Sequence, residues 1–278
     1  MNTQEVRLDY EAEYNNRRRV PEHVEINARW QTASAAYRST ARADLDQPYG
    51  PGERHRYDLY FAGDPKAPLV VYVHGGYWQR GDRKEYAFLA RALNAAGLEV
   101  AVPSYSLCPA VSVMDIVGEI RLCLAVLWRK TGKHPLVVGH SAGGHLTAAM
   151  VASDWSKVVG VPPDLVRAGV AISGVFDLPP LIPTSLNEAL RLDAQTARAA
   201  SPLFWPPPPK GRTLVAAVGG AESAEFLRQS RDIVAAWERA GLACEYLEVP
   251  GANHFTVVDE LTRPGSALSG KVAALARM

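Results

Sequence analysis

The chain has 278 residues, is 47% apolar and carries a formal net charge of +1, which argues against a general nucleic-acid or membrane-surface role. Its three cysteines are too few and too scattered for a disulfide framework, and no apolar run is long enough to span a membrane. The polar N-terminus lacks the apolar core of a signal peptide, so we expect a cytoplasmic protein with a single domain over residues 1–278.

The first predicted element is a polar, helical segment over residues 1–48. Its clearest helix covers residues 21–37, because Pro21 and Glu22 suit the first turn of a helix. Prolines and glycines at positions 48–52 then interrupt the chain. This segment is expected to be part of the single domain.

From residue 56 onwards, predicted strands and helices alternate along the chain. The pattern predicts strands over residues 56–61, 69–73, 98–102, 136–138, 168–172, 214–218 and 244–249. It predicts helices over residues 84–96, 113–130, 142–152, 223–240 and 267–276. This alternation is typical of an α/β fold in which a mostly parallel central sheet has helices on both faces.

Residues 177–210 break this alternation. They are rich in proline and end in four consecutive prolines at positions 206–209. We predict short helices over residues 185–190 and 193–200, which together would form a small helical cap over the strand ends. A long surface connection is the alternative interpretation.

The run Gly-His-Ser-Ala-Gly at residues 139–143 fits the pattern G-x-S-x-G. The pattern alone is weak, but here it follows a predicted strand and precedes a predicted helix, as a nucleophile elbow requires. We therefore predict that Ser141 is the nucleophile of a serine hydrolase. The alternative is a glycine-rich helix entry in which Ser141 is an ordinary N-cap residue.

The run His-Gly-Gly-Tyr-Trp at residues 74–78 directly follows the predicted strand 69–73. A serine hydrolase needs backbone N–H donors aimed at the oxyanion of its tetrahedral intermediate, and glycines let the backbone approach closely. We predict that Gly75, Gly76 and Ala142 form this oxyanion hole.

A catalytic triad on such a fold runs in the chain order serine, acid, histidine. His254 follows the last predicted strand and is the only histidine after His145, which makes it the candidate general base. The acid is expected after the strand 214–218, where Glu222 is the first candidate. Glu225 and Asp177 remain alternatives.

The sequence predicts no metal site, because His74, His140 and His145 have no carboxylate or cysteine beside them at ligand spacing. Tyr77 and Trp78 could line a substrate pocket or simply pack under their loop. Phe204 and Trp205 are further candidates for the pocket wall, and Asn187 could either contact the substrate or lie on a helix surface.

These motifs resemble the kynurenine formamidase (arylformamidase) group of α/β-hydrolases, near the hormone-sensitive-lipase-like esterases. The resemblance covers most of the chain and rests on residues 14–17 (YNNR), 74–78 (HGGYW), 139–145 (GHSAGGH), 201–204 (SPLF) and 225–230 (EFLRQS). It implies an α/β-hydrolase fold and cofactor-independent hydrolysis of N-formylkynurenine to kynurenine and formate, a step of tryptophan breakdown. It also implies activity on aryl and short-acyl esters.

The resemblance carries the nucleophile and the base over to Ser141 and His254. The acid of the group is usually an aspartate, whereas this chain has Glu222 at that place. Two other functions remain open, a general carboxylesterase and a non-catalytic hydrolase-like binding protein. We expect a small-molecule substrate and no nucleic-acid or membrane partner, and the sequence leaves open a homodimer.

Overall fold

The computed structural model describes residues 8–278, and within them eight strands form one sheet in the order β1-β2-β4-β3-β5-β6-β7-β8. β1 pairs antiparallel with β2, and β2 pairs antiparallel with β4, whereas all other neighbours are parallel. The strands are β1 (Ala43–Pro48), β2 (Arg56–Tyr60), β3 (Leu69–Val73), β4 (Glu99–Pro103), β5 (Leu136–His140), β6 (Ala168–Ile172), β7 (Thr213–Gly219) and β8 (Ala243–Val249).

Helices cover both faces of this sheet. They are α1 (Tyr10–Tyr14), α2 (Asn16–Arg19), α3 (His23–Arg38), α4 (Ala87–Ala95), α5 (Val113–Thr131), α6 (Ala142–Ala152), α7 (Asn187–Leu190), α8 (Ala194–Ala199), α9 (Ala224–Arg239), α10 (Thr256–Asp259) and α11 (Ala267–Ala276). Short 3-10 turns occur at Arg83–Glu85, Trp155–Lys157, Pro179–Leu181, Pro202–Phe204 and Glu260–Thr262. In the described residues, no helix combines the length and the apolarity needed to cross a membrane.

Two hydrophobic cores lie on opposite faces of the sheet, and the side chains of β3 alternate between them. Leu69, Val71 and Val73 join the core beneath α5, α6 and α9. Val70 and Tyr72 join the core beneath α3, α4 and α11. Because both of its faces are covered, β3 is apolar at every position, as expected for a central parallel strand.

The structure confirms the predicted α/β fold with its mostly parallel sheet. β3, β6, α6 and α11 have the predicted bounds, and the other predicted strands and helices from residue 56 to residue 138 and from residue 214 onwards differ only at their ends. Helix ends are the least predictable part of an element because they fray and tighten into 3-10 turns, as at Arg83–Glu85 before α4.

The prediction that residues 1–48 are helical is wrong at its C-terminal end, where β1 forms an edge strand. Two aspartates make this strand read as a loop or helix start, yet Ala43 and Leu45 pack against the core. Asp46 has a positive φ of 57°, and its N–H donates to the carboxylate of Asp58 on β2 over 2.8 Å. Pairing with β2 therefore decides the conformation, which local propensity could not indicate.

Candidate active site

Ser141 lies in the sharp turn between β5 and α6. Its backbone has φ 57° and ψ −116°, a conformation that side-chain-bearing residues rarely adopt. The turn is fixed because the Ser141 N–H donates to the Ile172 carbonyl at the end of β6 over 2.8 Å. Strain of this kind persists only where the surrounding structure enforces it, and it is concentrated at functional sites. The geometry is that of a nucleophile elbow.

The glycines on either side of Ser141 are required by close packing. A Cβ on Gly143 would stand 1.9 Å from the carbonyl oxygen of Val73, at the end of β3. A Cβ on Gly139 would stand 2.2 Å from the carbonyl oxygen of Gly143. The G-x-S-x-G pattern thus follows from the need to bring a helix start and two strand ends together at one point.

Gly143→Ala is expected to lower the free energy of unfolding by about 3 kcal/mol, because backbone atoms must move to admit the methyl group. The matched control is Gly118→Ala on α5, where a Cβ would meet no heavy atom within 4 Å. That control is expected to stabilise the protein by about 0.5–1 kcal/mol, since alanine favours a helix over glycine. Urea unfolding of both variants measures the two changes, and equal effects would contradict the packing argument.

The loop after β3 passes directly beside Ser141. A Cβ on Gly75 would stand only 3.0 Å from the Cβ of Ser141. The N–H groups of Gly75 and Gly76 donate no hydrogen bond to any residue from 8 to 278. Ala142 is the first residue of α6, so its N–H belongs to the unsatisfied donors at the positive end of that helix. Gly75 and the first residue of α6 thus adjoin Ser141, and the N–H groups of Gly75, Gly76 and Ala142 remain the predicted oxyanion donors.

Glu222 and His254 form a buried hydrogen-bonded pair. Oε2 of Glu222 lies 2.6 Å from Nδ1 of His254, and the Glu222 side chain is 0% exposed. The other oxygen, Oε1, accepts hydrogen bonds from the Ser173 hydroxyl over 2.5 Å and from the Gly219 N–H over 2.7 Å. With Nδ1–H donating to the carboxylate, Nε2 of His254 keeps its lone pair, as a general base requires.

The two alternative acids lie in a different cluster. Glu225 accepts the Tyr14 hydroxyl over 2.7 Å and pairs with Arg228 over 2.7 Å. Asp177 also pairs with Arg228, over 3.1 Å. Both carboxylates are thus committed to one guanidinium, and among the three candidates only Glu222 contacts His254.

Three other histidines are buried around Ser141. Burial and the nearby His254 hold the pKa of His140 well below its usual value, and burial lowers the pKa of His74 and of His145 to about 4. All three rings are therefore neutral at pH 7. The ring of His140 donates from Nε2 to the carbonyl oxygen of His254 over 2.7 Å, which holds the backbone of that residue in place.

The catalytic candidates open onto a cavity of about 410 Å³. Its wall contains Tyr14, Asn15, Asn16, Arg17, Asn27, Trp30, Gln31, Gly75, Gly76, Tyr77, Arg80, Gly81, Glu85, Tyr86, His140, Ser141, Ser185, Leu186, His254 and Phe255. Ser141, His254, Gly75 and Gly76 thus share one cavity. Among residues 8–278, no group of three His, Cys, Asp or Glu side chains is arranged to hold a metal ion.

Of the five predicted substrate contacts, only Tyr77 lines this cavity. Trp78 is fully buried and packs edge-to-face on His145, with ring centroids 4.9 Å apart. Phe204 lies under the guanidinium of Arg198, 4.3 Å from the ring centroid. The Trp205 indole donates to the Ala199 carbonyl over 2.7 Å. None of these three side chains lines the cavity, because each packs against the protein itself.

Asn187 does not line the cavity either. Its amide donates to the carbonyl oxygens of Ile182 and Leu192 and accepts the Leu192 N–H, so it closes the loop around α7. Residues 177–210 instead reach the cavity through Ser185 and Leu186.

Sequence reasoning missed the contribution of the N-terminal segment to the cavity. The Tyr77 hydroxyl donates to the Tyr14 carbonyl over 2.7 Å and accepts the Asn16 amide over 3.3 Å. These bonds hold residues 14–17 against the loop after β3, which makes this short segment part of the cavity wall. The YNNR motif was the available signal, but nothing in its spacing indicated where it packs.

Comparisons with known proteins agree with this arrangement. The sequence profile of the alpha/beta hydrolase fold matches residues 70–258. A kynurenine formamidase from Danio rerio is 32% identical over 232 residues, which cover 81% of this chain and 78% of that protein. One from Salmo salar is 33% identical over 233 residues, covering 81% and 79%.

Solved structures of other proteins have a similar fold. A protein from a Silicibacter species, proposed to be a thioesterase, superposes with a TM-score of 0.87 at 31% identity, covering 98% of this chain and all of that one. An esterase from Pyrobaculum calidifontis superposes with a TM-score of 0.68 at 19% identity, covering 91% of each chain, and supports the fold alone.

Proposed function

Because the chain belongs to the kynurenine formamidase group of the α/β-hydrolase family, we propose that it hydrolyses aryl formamides, N-formylkynurenine among them, with Ser141 as nucleophile. The observation that carries the proposal is that His254, hydrogen-bonded to the buried Glu222, lines the same cavity as Ser141. It supplies an oriented base beside a strained serine, which a binding protein has no need to maintain.

The first half of the reaction forms an acyl-enzyme. The Ser141 oxygen attacks the formyl carbon while Nε2 of His254 takes the hydroxyl proton. The charge that develops on the carbonyl oxygen is held by the N–H groups of Gly75, Gly76 and Ala142. Glu222 keeps the imidazole in the tautomer with Nδ1–H and stabilises the imidazolium that forms.

The second half releases both products. The imidazolium of His254 protonates the leaving arylamine as the C–N bond breaks. Water then attacks the formyl ester on Ser141 and gives a proton to His254, which passes it to the Ser141 oxygen as the ester C–O bond breaks and formate departs. Every proton moves through one imidazole, so the proton transfers use only side chains of this chain and water.

An aromatic leaving group suits the cavity. Trp30, Tyr86 and Phe255 line it, and the rings of Trp30 and Tyr86 lie 6.2 Å apart. Aromatic faces of this kind bind a flat ring through dispersion and area burial.

The direct test compares kcat/KM for N-formylkynurenine and for p-nitrophenyl acetate in the same preparation. We expect hydrolysis of both, because a serine acyl-enzyme can form from an activated ester as well as from an aryl formamide. The absence of deformylation in a preparation that cleaves the ester would contradict the formamidase activity and leave a general carboxylesterase. The absence of both activities would contradict the hydrolase mechanism itself.

A further inference from the structure

Three ionisable side chains line the cavity without a partner. Arg17, Arg80 and Glu85 form no ion pair and no side-chain hydrogen bond with any residue in the range 8–278. By contrast, their sequence neighbours Arg83 and Arg19 both have carboxylate partners. Arg17 and Arg80 are exposed to solvent and Glu85 is half-buried, so all three side chains remain available to a ligand. A few convergent polar groups of this kind typically fix the orientation of a ligand in its site.

Arg80 lies on the loop that carries the predicted oxyanion donors, and Arg17 lies on α2 next to a residue that contacts this loop. A Cβ on Gly76 would stand 2.7 Å from Cγ of Arg80, so the stem of that side chain starts directly beside Gly76. Arg17 follows Asn16, whose amide donates to the Tyr77 hydroxyl. Both guanidinium groups face the same cavity, where burial and then the charge of Arg17 lower the pKa of Arg80.

Glu85 contributes the opposite charge to the same cavity. Burial and the nearby Asp82 raise the pKa of its carboxyl group, whereas Arg54 and Arg17 lower it. The Glu85 backbone is held in place because the Ser34 hydroxyl donates to its carbonyl oxygen over 2.8 Å. The cavity therefore presents two cationic groups and one carboxyl group on a fixed scaffold.

We propose that Arg17 and Arg80 bind the carboxylate, and Glu85 the ammonium group, of an amino-acid group on the leaving part of the substrate. This inference rests on the proposed function, and it assigns the specificity of that site to an amino-acid end. Guanidinium groups suit this task because their planar donors match a carboxylate bidentately. N-formylkynurenine carries such a group at the end opposite its formamide, whereas a simple aryl ester does not.

The experiment compares N-formylkynurenine with 2-formamidoacetophenone, which keeps the aryl ketone and the formamide but lacks the amino-acid group. Arg17→Met and Arg80→Met each keep most of the side-chain volume and remove the charge. For each variant we expect the ratio of kcat/KM for the two substrates to fall about tenfold, equivalent to one lost charged contact of roughly 1.4 kcal/mol. The matched control is Arg18→Met on the same helix α2, whose side chain is exposed outside the cavity wall.

An unchanged ratio in both cavity variants, or an equal fall in the Arg18→Met control, would overturn the proposal. A measurement of ligand binding distinguishes failure of this proposal from failure of the proposed function. In a Ser141→Ala background, which needs no turnover, L-kynurenine is expected to bind more tightly than 2-aminoacetophenone, and Arg80→Met is expected to reduce that difference about tenfold. Equal affinities for the two ligands before the arginine is changed would overturn the proposal even if the enzyme hydrolyses both formamides.

Discussion

Replacement of Ser141 by alanine is expected to lower kcat by about 10⁴- to 10⁶-fold on N-formylkynurenine and on p-nitrophenyl acetate alike. Both reactions pass through the same acyl-enzyme, and alanine cannot form it. Rates above the uncatalysed reaction would come only from the N–H donors of Gly75, Gly76 and Ala142, which remain in place. Steady-state assays with both substrates measure the loss.

The integrity of the variant must be shown independently of activity. The Ser141 hydroxyl donates no hydrogen bond that supports the fold in the described residues, so Ser141→Ala is expected to keep the circular dichroism and the unfolding midpoint of the parent protein. A fluorophosphonate probe is expected to label the parent and not the variant. Retained hydrolysis and retained labelling in Ser141→Ala would show that another residue is the nucleophile.

The elbow and the oxyanion loop could be predicted because each is a run of consecutive residues joined to a strand. Positions 139 and 143 need glycine because a Cβ there would collide with backbone atoms, and both glycines belong to one short motif. The close approach of Gly143 to the end of β3 shows this packing requirement directly. The place of His254 followed from chain order alone. These features need no knowledge of distant contacts.

The cavity wall could not be predicted in the same way. Tyr77 and Trp78 are adjacent and aromatic, yet Tyr77 lines the cavity and Trp78 packs inside the protein against His145. Which of two neighbours faces the ligand depends on the backbone of the loop, where both residues have positive φ values. The contact between Tyr14 and Tyr77 spans more than sixty residues of sequence, and no local pattern indicates it.

The choice among the three acids illustrates the same limit. Glu222, Glu225 and Asp177 all follow strands at the correct edge of the sheet, so sequence position alone left them open. The structure separates them by partner, since Arg228 binds Glu225 and Asp177 while His254 binds Glu222. Partner choice depends on side-chain direction, which the strand pattern does not encode.

Glu222→Gln is expected to lower kcat by about 10³- to 10⁴-fold, because it imposes the wrong tautomer on His254. The Ser173 hydroxyl and the Gly219 N–H both donate to Oε1, so they hold the amide oxygen of glutamine at that position. The amide nitrogen then faces Nδ1 of His254 and donates to it. The imidazole proton moves to Nε2, the atom that must accept the proton of Ser141.

Asp177→Asn is the matched control, because it makes the same carboxylate-to-amide change within the Arg228 cluster and away from His254. Its kcat is expected to stay within about twofold of the parent value, as for a substitution that leaves the reacting groups in place. A large loss in Asp177→Asn together with a near-normal kcat in Glu222→Gln would transfer the role of the acid to the Arg228 cluster. A large loss confined to Glu222→Gln would instead support Glu222 as the acid. Glutamate has one methylene more than the aspartate usual in this group, and the observed contact of 2.6 Å shows that its carboxylate still reaches His254.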